Sequence, residues 1–129
     1  MALSAYSRDL LLDYLLNTES VTRPTSWYVS LHTGDPGTTG ANEVAAQDDD
    51  YVRQAVDMGA ASSGTSVSED SQTWTAASDA TTYTVTHIGI WDSASGGEFL
   101  FGGALPVPET VVASGSLVLA AGRCIARLI

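Results

Sequence analysis

Three groups of side chains could do chemistry in this chain. Asp48, Asp49 and Asp50 are adjacent acids, with Asp35 and Glu43 a short way upstream. Carboxylates gathered on a loop could supply the roughly six to eight hard oxygens a calcium ion takes, so Asp48, Asp49, Asp50 and Asp35 are the residues to test as cation ligands. His32 and His87 are the two histidines, and His32 with Asp35 is the one close pair of base and acid. Such a pair could serve a metal or a general base if further groups converged on it. Trp27, Tyr28, Tyr51, Trp74 and Trp91 could stack on sugar rings, with Trp74 and Trp91 the glycan-binding candidates.

Each group also has a plainer reading. The Asp-x-Asp-x-Asp-Gly spacing of a helix-loop-helix calcium site is absent, and three neighbouring acids more often form a solvated loop. A histidine at a strand end more often fixes backbone by hydrogen bonding. Aromatics at strand spacing are more often core. No Gly-x-Ser-x-Gly elbow marks a nucleophilic serine, and a chain with no lysine holds no Gly-x-x-x-x-Gly-Lys phosphate loop. Cys124 is the sole cysteine; it reads as a small buried hydrophobe. No catalytic residue and no cofactor site is read, and the chain is not expected to be an enzyme.

Charge narrows the partners. Fifteen acids face five basic residues, all arginines, for a net charge of −10. Such a chain is repelled by nucleic acid and by anionic membranes, so neither is an expected partner. No apolar run approaches the ~18 residues needed to span a bilayer. The N-terminus lacks a basic stretch before an apolar core, so no signal peptide is read. A mean hydropathy of +0.09 and 129 residues suit one folded unit over 1–129 that buries roughly two-thirds of its unfolded surface.

The elements that must position these residues are mostly strands. Residues 3–17 are the exception: Leu3, Tyr6, Leu10 and Tyr14, with the leucines around them, make a broad apolar helical face. Ser4 can cap its start and Asn17 can end it. That face must pack on a sheet or dock on a neighbouring subunit. Arg23-Pro24 breaks the chain before a β region over about 26–129. Strands are predicted at 26–33, 51–56, 73–75, 81–91, 98–105, 117–119 and 123–129. In 81–91, alternation places Tyr83, Val85 and His87 on one face and Thr84, Thr86, Ile88 and Ile90 on the other. Residues 34–50 are a long turn-rich loop, Gly102-Gly103 suggest a bulge or a close backbone approach, and Pro106 and Pro108 mark an edge or corner. About seven short strands at such spacing predict a mainly β fold, an antiparallel β-sandwich or jelly-roll-like barrel with one N-terminal α-helix.

Several blocks in fixed order carry a resemblance. They are the helix ending near Leu15-Leu16-Asn17, Tyr28 to Gly37, Asn42-Glu43-Val44, Tyr51 to Val56, Val85 to Asp92, Gly96-Gly97 and Leu100 to Leu105. Together they resemble a family of small tailed-bacteriophage structural proteins, often labelled tail fibre or minor tail proteins. Members usually carry Phe or Tyr where this chain has His32, and Phe where it has Trp91; the Asp48–Asp50 run is peculiar to this chain. The resemblance implies a non-enzymatic virion protein, attached to the tail or tail tip or to the capsid exterior. Its partners would be copies of itself, as a trimer, and other virion proteins such as the tail or the major capsid protein. A capsid cement or decoration protein, and a receptor- or glycan-binding module at the tail end, are the alternatives. The helix and the loop 34–50 are the expected contact elements, with Leu3, Tyr6, Leu10, Tyr14, Pro36 and Tyr51 as interface candidates.

Overall fold

The computed structural model describes residues 2–128. In chain order these form β1 (Ala2–Leu3), α1 (Ala5–Leu16), β2 (Tyr28–His32), β3 (Gln54–Ala55), β4 (Thr65–Val67), β5 (Gln72–Thr75), β6 (Tyr83–Trp91), β7 (Phe99–Val111), β8 (Ser116–Leu119) and β9 (Ile125–Arg127). The main sheet has the order β1-β7-β6-β2-β3, and β4–β9 and β5–β8 form two-stranded ribbons. Every pairing is antiparallel. The fold is therefore mainly β with one N-terminal helix, as the sequence predicts. Val29, Leu31, Val85, Ile88 and Ile90 of the main sheet share one core with Trp74, Leu117 and Leu119 of the β5–β8 ribbon and with Cys124.

The longest strands depart from simple alternation. Tyr83, Val85, Ile88 and Ile90 all join the same core, which corrects their assignment to opposite faces. The register shifts between Val85 and His87: Val85 pairs with Glu109, but His87 pairs with Ala104. Thr86 alone thus faces Leu105, Pro106, Val107 and Pro108. Prolines donate no N–H to a ladder, so the pairing is interrupted there by a bulge and β6 changes face by one residue. The strand predicted to stop at 105 runs on through the prolines to Val111. Gly102 is a close approach: a Cβ there would lie 2.6 Å from Cγ of Pro36 and 2.8 Å from Cζ of Phe99.

At β2 the second face of the main sheet is also covered. In β2, Val29 and Leu31 point into the core while Ser30 and His32 are equally buried. The loop 34–50 folds back over them. His32 and Glu43 form a β-bridge, Val44 N–H donates to Leu31 C=O at 3.0 Å, and Thr33 N–H donates to Asn42 C=O at 3.0 Å. Alternation predicts a half-buried strand; β2 is buried on both sides because the loop supplies the second layer. The predicted strand 51–56 shrinks to β3 because Tyr51 and Arg53 turn toward Glu43 of that loop.

The helix is shorter than 3–17. Leu3 belongs to β1, paired with Phe101, so it is not on the helical face. Ser4 caps the start, its hydroxyl accepting Ser7 N–H at 3.0 Å. Asn17 follows the last turn in extended backbone rather than a left-handed one. Its amide donates to Asp13 at 2.9 Å and its oxygen accepts Glu19 N–H at 2.7 Å.

Candidate functional site

The adjacent acids do not assemble a cation site. Asp48 is buried; its Oδ1 accepts N–H from Ala77 and Asp50, each at 3.0 Å, and its Oδ2 accepts the Tyr83 hydroxyl at 3.0 Å. This carboxylate ties the loop 34–50 to residue 77 and to β6. Burial, helped by Asp48, pushes the Tyr83 phenol up to about 12. Asp49 and Asp50 are exposed, and Asp35 caps its own turn by accepting Gly37 N–H at 2.8 Å. Among the described residues, no group of three or more His, Cys, Asp or Glu side chains could hold a metal ion.

His32 does not pair with Asp35. Its Nδ1 lies 2.7 Å from Ala41 C=O and its Nε2 lies 2.7 Å from the Ser30 hydroxyl. A carbonyl only accepts, so Nδ1 carries the proton and Nε2 accepts from Ser30. Ser30 Oγ in turn accepts the indole N–H of Trp91 at 3.0 Å. Trp91 to Ser30 to His32 to Ala41 is thus a closed chain in which every donor meets an acceptor. Burial lowers the pKa of His32, outweighing the opposing pull of the Ala41 carbonyl and Glu43, so the ring stays neutral. Asp35 instead shares a small surface pocket with His87, whose Nδ1 is 2.8 Å from the Thr86 hydroxyl.

Neither glycan candidate is a platform. Trp74 is buried in the core, its indole N–H donating to Val52 C=O at 3.0 Å. Trp91 is buried beneath the loop, edge-on to Phe99 with ring centres 5.2 Å apart. Both rings are consumed because each indole has one polar atom that finds a backbone or hydroxyl acceptor inside the chain. Cys124 is buried, and burial pushes its thiol up to about 11, in keeping with an inert packing residue.

Sequence reasoning missed the Glu43–Arg53 pair. Arg53 grips Glu43 through two hydrogen bonds of 2.9 Å and donates to the carbonyls of Ser93 at 2.9 Å and Gly96 at 2.7 Å. Tyr51 donates its hydroxyl to the same Glu43 at 2.8 Å and accepts Leu31 N–H at 3.0 Å. Burial and the Glu43 charge hold that phenol well above its usual range. The available signal was a lone arginine in an otherwise uncharged strand block, Tyr51 to Val56, following Asn42-Glu43-Val44. Tyr51 and Pro36, both interface candidates, are placed inside the chain: Tyr51 in this cluster, and Pro36 fully buried against Gly102.

Among the described residues, apolar surface remains open at the end of α1 and in a groove, besides the exposed Val52, Val107, Val112 and Val118. In α1 only Ser7 is buried; Tyr6 and Leu10 are half-buried, while Leu12, Tyr14, Leu15 and Leu16 are 54%, 70%, 70% and 76% exposed. An open groove of ≈ 480 Å³ runs between the main sheet and the β4–β9 ribbon, lined by Trp27, Met58, Phe101 and Leu128 with Arg23 among its walls. Among the described residues, no helix is long and apolar enough to cross a membrane.

The fold and its surfaces define a small antiparallel β module whose buried polar side chains are engaged by its own backbone and by one another, and which leaves a helix end and a groove uncovered. The family model of the podophage GP4 fiber I protein gp80 matches residues 2–127. The chain belongs to this phage tail fibre family, which makes it a component of the virion that meets other virion proteins. No curated protein matches the chain.

Proposed function

We propose that this protein is a non-enzymatic structural subunit that seats on the tail or tail tip of the particle as a homo-oligomer. The observation that carries this reading is the uncovered row of Leu12, Tyr14, Leu15 and Leu16 at the end of α1. The chain's own sheet half-buries Tyr6 and Leu10 but leaves this leucine-rich end open to water, and exposed apolar surface of this kind marks a contact with another chain. Each leucine buried there would contribute about 1–2 kcal/mol to an assembly. The side chains best suited to catalysis, His32 and Asp48, are engaged in holding loop 34–50, which supports a structural role.

Immunogold labelling of intact particles with an antibody to this protein tests the station. Gold confined to the tail is expected. Gold spread over the heads would overturn the tail station and make the protein a capsid decoration subunit.

A further inference from the structure

We propose that the groove between the main sheet and the β4–β9 ribbon takes the apolar end of α1 from a second copy of this chain. The inference rests on the homo-oligomer reading above and names the two surfaces that would meet. Leu12, Leu15 and Leu16 form one row by the i, i+3, i+4 rule, and all three are exposed. The chain's own helix does not reach the groove: α1 packs at β7 and β1, and none of its residues lines the groove walls. The groove walls, Trp27, Met58, Phe101 and Leu128, are apolar groups of the kind such a row covers.

Charge selects the occupant. The charged residue in the groove wall is Arg23, in a chain with a net charge of −10. Asp9 and Asp13 flank the Leu12–Leu16 row on one side of the helix, and Arg8 extends the row toward the N-terminus with its Nε donating to the Ser4 carbonyl at 3.4 Å, so α1 carries two acids against one arginine and is net negative. Asp13 is already held by Asn17 at 2.9 Å, and no salt bridge engages Asp9 among the described residues. Arg23 and Asp9 are therefore complementary across the contact, and they reduce the repulsion between two acidic copies where the surfaces touch. Because helix and groove are different patches, head-to-tail docking closes into a ring if the rotation permits.

Light scattering on the full chain over a range of concentrations tests this. The double variant Leu12→Asp, Leu16→Asp should lose assembly at least about tenfold in dissociation constant, because a carboxylate has no partner in an apolar groove. The double variant Leu12→Ala, Leu16→Ala, which adds no charge to α1, should weaken assembly in the same direction while leaving thermal unfolding of the isolated chain little changed, since both side chains are mostly exposed. Arg23→Glu should weaken assembly by roughly fivefold or more, and adding Asp9→Arg to it should restore the loss. If the wild type assembles but none of these variants alters it, the helix–groove contact is wrong while the oligomer stands. If the wild type is monomeric at every concentration, the homo-oligomer reading and this inference both fall.

Discussion

The guanidinium carbon of Arg53 stands 3.6 Å from the centre of the Trp91 ring, and the same group grips Glu43 through two hydrogen bonds of 2.9 Å. One side chain thereby joins the loop carrying Glu43 to the end of β6 at Trp91 and the turn that follows it, whose Ser93 and Gly96 carbonyls it also binds. The side chains of Arg53 and Glu43 are only 8% and 20% exposed. A planar fork satisfies all of these contacts at once, which a lysine ammonium cannot.

Arg53→Lys is therefore expected to destabilise the protein by about 2 kcal/mol, since it leaves a largely buried Glu43 with a poorer partner and uncovers the indole. Urea denaturation measures this. A loss below about 0.5 kcal/mol, the range of ordinary surface changes, would show that the clamp contributes little.

His32 predicts a pH dependence. Its pKa is lowered in the folded state by burial, while the unfolded ring titrates near the usual ~6.5. The unfolded chain then binds the extra proton first as pH falls. Stability is full above ~6.5 and declines as pH drops below it toward the folded pKa. Denaturation midpoints measured between pH 7 and pH 5 should fall, and His32→Phe should flatten that slope while costing some stability at pH 7 through the stranded Ser30 hydroxyl and Ala41 carbonyl. An unchanged slope in the variant would assign the titration to other groups.

Two glycines separate crowding from backbone strain. A Cβ on Gly89 would lie 2.6 Å from Cε1 of Phe99, 2.7 Å from Oγ of Ser30 and 2.9 Å from Nε2 of His32. Gly89→Ala should cost about 1–3 kcal/mol, the range for overpacking, and disturb the Trp91 environment seen by fluorescence. Gly37 has a φ of +59° with open space around its Cβ position. Gly37→Ala should cost only ~1 kcal/mol of strain and leave Trp91 emission unaltered.

Asp48 and Asp49 should behave differently although adjacent. Asp48→Asn weakens three hydrogen bonds to a buried carboxylate and should lose about 1–2 kcal/mol, because bonds to charged groups are about twice as strong as neutral ones. Asp49→Asn, at an exposed position, should change stability by less than ~0.5 kcal/mol. The melting temperature should not respond to a chelator. A fall on chelation, restored by calcium, would reinstate the acidic loop as a cation site.

Much of the fold was legible in the sequence for local reasons. The Ser4 cap, the run 81–91 and the Gly102 approach all depend on residues near one another in the chain or on strict backbone chemistry. Ser4 needs only Ser7 to show its role. The solvated-loop reading of the acidic run fits Asp49 and Asp50 but not Asp48, which finds its donors at Ala77 and Tyr83, far along the chain. For the tryptophans the core reading holds over the glycan alternative, but what buries each ring is not local: the loop 34–50 covers Trp91, while the pairing of β5 with β8 turns Trp74 inward.

By itself the sequence determined the antiparallel β character, the single N-terminal helix, the repulsion of polyanions and the order of the family blocks. These follow from side-chain period, capping chemistry and net charge, each summed over neighbours or over the whole chain. Tertiary structure alone decided that His32 is neutral and buried, that Arg53 serves Glu43 and Trp91, and that a groove opens beside Arg23. Those outcomes require segments separated by tens of residues to meet, and a hydrogen bond or a void exists only once the partners have been brought within a few ångströms.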